Sequence, residues 1–302
     1  MNRFRIRRVL ALVVVAGLSL ALASCGRDAP PSTQSQPRYV TTIPPFEMIL
    51  RPVVEGRATV EHLLAPGASP HTHDPSPSDL EAVRTGSALV YGADHLDGWA
   101  ADLPADRRLG LVDLLPVEAR LTFGAAERPD TTIDPHFWTD PSTVARLLPP
   151  LVDTLCAMDA DGCATYRANA DSFATTLSAL DARLQSMTAS VRETPVLLAQ
   201  PFFRYFLRRY GPQLIGVVEP RPGTDPTAQD LQRLIGRAEE EGARGILTQR
   251  QLSARSAEAV AEPDTLPLIR LDPLGGTEGR MTYSALMIAN ARILRDALQN
   301  EE

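Results

Sequence analysis

The sequence predicts an α/β protein of two lobes, each with a parallel sheet flanked by helices, joined by one long rigid helix. Short runs rich in β-branched residues alternate with helical stretches, and this alternation is typical of parallel sheets. The alternation starts near Tyr39, gives way to a long helical segment, and restarts after Thr194. The roughly 265 residues that are expected to fold exceed one ordinary domain, which favours two lobes of similar size.

The N-terminal segment is expected to lie outside the two lobes. Several arginines precede an apolar run, Val9–Ala23, that is too short to span a bilayer comfortably, so residues 1–24 are predicted to be a signal peptide. The run closes on Leu22-Ala23-Ser24-Cys25, which resembles a lipobox and makes Cys25 the candidate lipidation site. An ordinary signal peptide with an incidental cysteine is the alternative. Residues 25–37 are rich in Pro, Ser and Gln, which predicts a lipidated flexible tether.

These features predict an exported lipoprotein, anchored to a membrane in the periplasm or on the cell surface. Loss of the signal-peptide arginines would take the formal net charge from −7 to about −11, and an acidic surface argues against nucleic acid and suits a cation ligand. The other two cysteines, Cys156 and Cys163, are even in number in an exported chain, which favours a local disulfide over a metal site.

The N-terminal lobe is predicted to comprise residues 38–163. Strands are expected at Tyr39–Ile43, Thr59–Leu64, Ala88–Tyr91 and Leu109–Val112, with helices at Phe46–Glu55 and Ser78–Thr85. A further helix is expected to start at Asp140-Pro141, because aspartate is a good N-cap and proline is favoured at the first helical position.

The interlobe helix is predicted at residues 164–191. Its apolar residues recur at alternating spacings of three and four, from Tyr166 to Val191. Such a stripe is compatible with a coiled coil, but it is short and its flanks carry few charges, so burial against both lobes is favoured. Because a helix is a stiff connector, large hinge closure is not expected.

The C-terminal lobe is predicted to comprise residues 192–302. Strands are expected at Val196–Ala199, Leu214–Val218, Gly245–Thr248 and Leu268–Leu271, with helices at Phe202–Tyr210, Thr227–Glu241, Ser253–Glu262 and Tyr283–Gln299. Asp225-Pro226 has the same composition as the helix start at Asp140-Pro141.

Two histidine segments flanked by prolines, Ser69–Pro77 and Asp134–Pro141, are the strongest functional signal. Prolines fix φ and remove backbone donors, so the histidines lie in stiff stretches that lose little entropy on capturing a cation. The chain has only five histidines, and these two segments hold His71, His73 and His136. The pattern predicts two metal-binding loops.

Four runs, in this order, carry a family resemblance. They are Thr41–Phe46 (TTIPPF), Leu64–His71 (LAPGASPH), Asp134–Trp138 (DPHFW) and Leu271–Gly275 (LDPLG). The chain thereby resembles, over nearly its whole mature length, the zinc and manganese solute-binding proteins of ABC importers. The resemblance implies two α/β lobes and a rigid helix, Zn²⁺ or Mn²⁺ carried as transported ligand in the cleft, and delivery to an ABC permease and its ATPase. We also expect a monomer.

The resemblance implies four metal ligands, two from each lobe. His71 and His136 match the N-terminal pair, and Asp272 matches the last ligand. At the third position, where the family has His or Glu, this chain has Gln200. An amide oxygen can coordinate a cation, but it is neutral and binds transition metals less well than imidazole or carboxylate. The ligand set leaves zinc, manganese and iron open.

His73 is a further candidate. Residues two apart in an extended segment point to the same side, so His71 and His73 could face one cation together. The family usually has a packing aromatic residue at this position, which favours a supporting role for His73.

Two other function classes compete with the receptor. Gln200 is compatible with a degenerate family member that acts as an adhesin or a weak metal chaperone. Two His, one Asp and an open position also resemble a catalytic zinc site. The sequence has neither a His-Glu-x-x-His helix nor a Gly-x-Ser-x-Gly elbow, so we do not expect an enzyme.

Overall fold

The structure, a computed structural model, describes residues 36–123, 131–220, 226–261 and 266–299. The predicted signal peptide, Cys25 and the first part of the predicted tether lie outside these ranges. Within the described ranges, no helix is both long enough and apolar enough to cross a membrane.

The N-terminal lobe contains a parallel sheet of four strands in the order β2-β1-β3-β4. The strands are β1 (Arg38–Thr41), β2 (Thr59–His62), β3 (Ala88–Tyr91) and β4 (Arg108–Gly110). The helices are α1 (Pro44–Val54), α2 (Pro77–Thr85), α3 (Asp94–Asp97), α4 (Leu111–Leu114) and α5 (Pro141–Met158). The chain places β2 on one side of β1 and then crosses to place β3 on the other side, so the strand order reverses between β1 and β3. In parallel sheets of this kind, ligands bind at the carboxyl ends of the strands at that point.

The C-terminal lobe repeats this arrangement with the strand order β6-β5-β7-β8, again all parallel. The strands are β5 (Pro195–Leu198), β6 (Gln213–Val217), β7 (Ile246–Gln249) and β8 (Leu268–Leu271). The helices after the interlobe helix α6 (Cys163–Thr188) are α7 (Arg204–Tyr210), α8 (Ala228–Glu241), α9 (Arg255–Ala261) and α10 (Tyr283–Gln299). The predicted two-lobe α/β class is confirmed.

The long helix α6 is buried against both lobes. Its buried residues recur at helical spacing: Tyr166, Ala170, Phe173, Leu177, Leu180, Leu184 and Thr188. One hydrophobic cluster includes the apolar residues of this stripe together with Phe46 of α1 and Tyr283 of α10. The rings of Phe173 and Tyr283 pack edge to face at 6.4 Å. The stripe therefore joins the lobes through one shared hydrophobic core, because burying its apolar side chains against both lobes is favourable.

Most predicted boundaries differ from the observed ones by one to a few residues, and two of the differences have a clear local cause. The predicted strand Leu109–Val112 is wrong at its end, because Gly110 is the last residue paired with β3 and Leu111 begins α4. In the C-terminal lobe, α8 begins at Ala228, where Thr227 and Asp230 form a reciprocal capping box. The predicted start at Asp225-Pro226 lies partly outside the described residues.

The turn between α5 and α6 is cross-linked. Cys156 and Cys163 form a disulfide, which confirms the predicted pairing. Within the loop that the disulfide closes, Asp159 accepts two hydrogen bonds from Arg57 and one from the hydroxyl of Tyr166. The turn is thereby fixed to the residues that follow α1.

Candidate metal site

His71 lies in the loop between β2 and α2, in a short turn that Ser69 caps by accepting a hydrogen bond from the His71 amide. The Nδ1 atom lies 3.2 Å from the carbonyl oxygen of His95, which assigns the proton to Nδ1 and leaves Nε2 unprotonated. Burial, and secondarily the neighbouring His136, lowers the pKa of His71 to about 4. The ring is therefore neutral at neutral pH, the form that binds metals.

His136 is prepared in a different way. It is buried, with 4% of its surface exposed, and its Nδ1 donates to Asp134 Oδ1 at 2.8 Å. The same oxygen accepts the backbone N–H of His136 at 3.0 Å, which fixes the carboxylate beside Nδ1 of the ring. Such a carboxylate orients a ligating histidine and leaves Nε2 free for the metal. The rings of His71 and His136 lie 6.0 Å apart, so the structure brings this predicted pair together.

Gln200 lies just beyond the carboxyl end of β5, with 3% of its surface exposed. Its Nε2 donates to Glu219 Oε2 at 3.0 Å and to the carbonyl oxygen of Ser253 at 3.3 Å. Both amide hydrogens are thus directed at oxygen acceptors. The side chain is held in place by the loops that follow the two neighbouring strands.

Asp272 directly follows β8 and is 3% exposed. Its Oδ1 accepts from the backbone N–H groups of Leu274 and Gly275, so the residue caps the turn, while Oδ2 accepts from Arg280 at 3.1 Å. Gly275 has φ +65°, a conformation that favours glycine. Asn290 holds the Asp272 backbone through both its N–H and its C=O. The carboxylate is therefore rigid, and Arg280 neutralises it.

The lobes meet beside these residues. Trp138, two residues after His136, donates from Nε1 to the carbonyl oxygen of Pro273 at 2.8 Å. The hydroxyl of Tyr283 in turn donates to the carbonyl oxygen of Trp138 at 2.7 Å. These bonds place the His136 segment next to the Asp272 turn.

Within the described ranges, no three His, Cys, Asp or Glu side chains are close enough together to hold a metal ion. The two histidines are paired, whereas Asp272 is engaged with Arg280 and Gln200 with Glu219. Of the four predicted ligands, the structure brings His71 and His136 together, while Gln200 and Asp272 lie at the carboxyl ends of β5 and β8.

His73 is directed at other partners. Its ring packs on Trp99 with ring centroids 4.5 Å apart, and its Nε2 lies 3.4 Å from Asp79 Oδ2. The Trp99 indole donates to the carbonyl oxygen of Pro70 at 2.8 Å, which holds the residue before His71. This geometry supports a packing role for His73.

Sequence reasoning missed several side chains that contact the predicted ligands, including Asp134 beside His136, and three of them are charged or polar partners of the C-terminal candidates. They are Glu219 beside Gln200, and Arg280 and Gln251 beside Asp272. Glu219 directly follows the predicted strand Leu214–Val218, so the sequence could have predicted that it lies at the carboxyl edge of the sheet. Its contact with Gln200 depends on the pairing of β5 with β6, which no local pattern reveals.

Comparison with known proteins gives one family and several relatives. Residues 40–297 match the family model described as ZnuA, zinc-uptake complex component A, periplasmic. The chain is 26% identical over 319 residues to the high-affinity zinc uptake system protein ZnuA of Paracoccus denitrificans, covering 93% of this chain and 98% of that protein. It is 24% identical over 233 residues to the manganese-binding lipoprotein MntA of Halalkalibacterium halodurans, covering 76% and 77%.

A solved structure shares the fold. The periplasmic zinc binding protein TroA from Treponema pallidum superimposes with a TM-score of 0.73 and 21% identity, covering 87% of this chain and 99% of that chain. At this identity the match supports the two-lobe architecture.

Proposed function

The chain belongs to the family of periplasmic components A of zinc-uptake complexes, and from this membership we propose that it captures a divalent metal ion between its lobes and delivers it to an ABC importer. The observation that carries the proposal is the pair His71 and His136. Each ring has its Nδ1 engaged by an oxygen, so each can offer Nε2 to a cation. The family consists of uptake receptors rather than enzymes.

We propose His71, His136, Gln200 and Asp272 as the ligands. Binding would require Asp272 to exchange its contact with Arg280 for a contact with the cation. Two imidazoles favour zinc, the first choice, while two side-chain oxygens are also compatible with manganese. Named relatives include both a zinc uptake protein and a manganese-binding lipoprotein.

The partners are an ABC permease and its ATPase, and the receptor acts as a monomer. We further propose that Cys25 carries the lipid that anchors the exported protein to a membrane in the periplasm or on the cell surface. Replacing Cys25 with alanine should release the protein from membranes or block processing. A mature wild-type mass without any acyl group would contradict the anchor.

Metal titration tests the receptor. Metal-free protein should bind one Zn²⁺ or Mn²⁺ in competition with a chromophoric chelator, and His71→Ala or His136→Ala should lose nearly all binding. His62→Ala is the matched control, because His62 is a half-buried histidine that contacts Glu47 instead of the pair. A wild-type protein that binds neither ion, or full binding by His136→Ala, would refute the proposal.

A further inference from the structure

The amide of Gln200 has only one orientation that satisfies its surroundings. A glutamine amide has two N–H donors and one oxygen acceptor. Two acceptors face it on one side, Glu219 Oε2 at 3.0 Å and the carbonyl oxygen of Ser253 at 3.3 Å. The flipped amide would place its oxygen against these two oxygens, so the hydrogen-bond network assigns Nε2 to that side.

The sheet builds this arrangement from three neighbouring strands. Strand β5 lies between β6 and β7, and all three run parallel, so their carboxyl ends meet at one edge. Gln200 follows β5, Glu219 follows β6, and Ser253 lies in the loop after β7. The backbone N–H of Glu219 donates to the carbonyl oxygen of Ala199 at 2.8 Å, which continues the β5–β6 pairing beyond the strands. Glu219 is therefore fixed beside Gln200 by the backbone.

We propose that Glu219 is a positioning residue that holds the amide nitrogen of Gln200, so that the oxygen Oε1 is presented to the captured cation. This inference rests on the proposed function. The same contact strengthens Oε1 as a ligand, because a hydrogen bond to an anionic acceptor polarises the amide and adds negative charge to its oxygen. Glu219 thereby compensates for the neutral charge of the amide at this position.

Glu219 also determines which side chains suit position 200. A glutamate there would place two carboxylates side by side, and like charges so close disfavour the ionised form. A histidine could donate one ring N–H to Glu219 and offer its other nitrogen to the metal. Beside Glu219, the position therefore suits an amide or an imidazole better than a carboxylate.

A double-mutant cycle tests the proposal with Zn²⁺ and Mn²⁺ as probes. Glu219→Ala should weaken binding by about tenfold to a hundredfold, the usual range when the partner of a ligand is lost. Glu219→Gln, which keeps an acceptor for Nε2, should lose much less. In a Gln200→Ala background, Glu219→Ala should cost nothing further, because the residue acts through Gln200.

Two outcomes of the cycle would overturn the proposal. One is unchanged affinity in Glu219→Ala. The other is an equal loss with and without Gln200, which would make Glu219 a ligand or a remote charge. Glu219 is half-buried at a strand end, and thermal melts would verify that the alanine variant is folded.

A readout without metal separates this proposal from the receptor function. In the metal-free protein, the two side-chain N–H hydrogens of Gln200 should exchange slowly with solvent, as measured by NMR. Glu219→Ala should accelerate this exchange, whereas Glu219→Gln should preserve the slow rate. If the wild type binds no metal but the amide still depends on Glu219, the receptor function fails while the positioning of the amide stands. An amide unaffected by Glu219→Ala overturns the positioning as well.

Discussion

At the scale of residues, the two histidines differ in how they are prepared for a cation. His136 relies on the Asp134 carboxylate, whereas His71 relies on a backbone carbonyl and on burial. A carboxylate partner orients the ring it holds, while burial keeps a ring neutral. The site thus combines a strongly oriented donor with one that resists protonation.

The low pKa of His71 predicts a dependence of stability on pH. The folded protein protonates His71 near pH 4, while the unfolded chain does so near the usual 6.5. As the pH falls from 6.5 to 4, His71 is protonated in the unfolded state but not in the folded state. The free energy of unfolding therefore falls, by about 1 to 2 kcal/mol after allowance for partial exposure. Thermal melts of metal-free wild type and His71→Gln over this window should give a shallower slope for the variant. Parallel slopes would contradict the burial effect.

Gln200→His should tighten zinc binding. Imidazole nitrogen is a better donor than amide oxygen for this ion, and Glu219 can hold the other ring nitrogen. The gain should be at least about tenfold, or roughly 1.4 kcal/mol, in competition titrations. Gln200→Ala should cost far less than His71→Ala. If His73→Ala abolishes binding as completely as His71→Ala, and Gln200→His changes nothing, then His73 is the third ligand.

At the scale of elements, the cross-linked turn predicts a second dependence on pH. Hydrogen bonding to Arg57 lowers the pKa of Asp159 from 3.8 to about 2. The ion pair therefore stabilises the fold fully above pH 4, and its contribution is lost as the pH falls towards 2. At neutral pH, Asp159→Asn should cost about 1 kcal/mol, since the pair is bidentate but lies near the surface. The difference in melting temperature from wild type should shrink as the pH falls and vanish below pH 2, and Asp171→Asn, at an exposed aspartate of α6, is the matched control.

The helices and strands differ in how well the local sequence predicts their position and their ends. The stripe from Tyr166 to Leu184 sufficed for α6, because burial on one face leaves a period of 3.6 residues. Leu111 and Val112 continue the apolar character of β4 into α4, so composition alone could not mark the end of that strand. The order of the sequence motifs was enough to predict that His71 and His136 lie close together. The partners Glu219 and Arg280 depend on strand pairing and on a turn, which are tertiary properties.

At the scale of the whole molecule, the lobes share contacts that restrict their relative motion. The Tyr205 hydroxyl accepts from the Leu121 amide at 2.8 Å and donates to the carbonyl oxygen of Asp134 at 3.1 Å. Arg204 donates to the carbonyl oxygen of Thr122 at 2.7 Å and also reaches the Asp134 carboxylate at 3.4 Å. Together with the core around α6, these bonds connect α7 to the segment that leads into His136. Hydrogen bonds across the lobes therefore link α7, which follows Gln200, to the segment that leads into His136.

These contacts between the lobes predict that the lobes move together only slightly on metal binding. Because a buried helix and several hydrogen bonds join the lobes, backbone shifts on Zn²⁺ binding should stay within about 1 Å. The radius of gyration from X-ray scattering should therefore hardly change. Tyr205→Phe keeps the buried ring and removes both hydroxyl bonds, at a cost of about 1 to 3 kcal/mol, and it should accelerate hydrogen exchange in residues 131–136. Tyr91→Phe, within the N-terminal lobe, should leave that exchange unchanged. A decrease of about 1 Å or more in the wild-type radius of gyration would instead indicate hinge closure, and the bonds of Tyr205 would then have to break on binding.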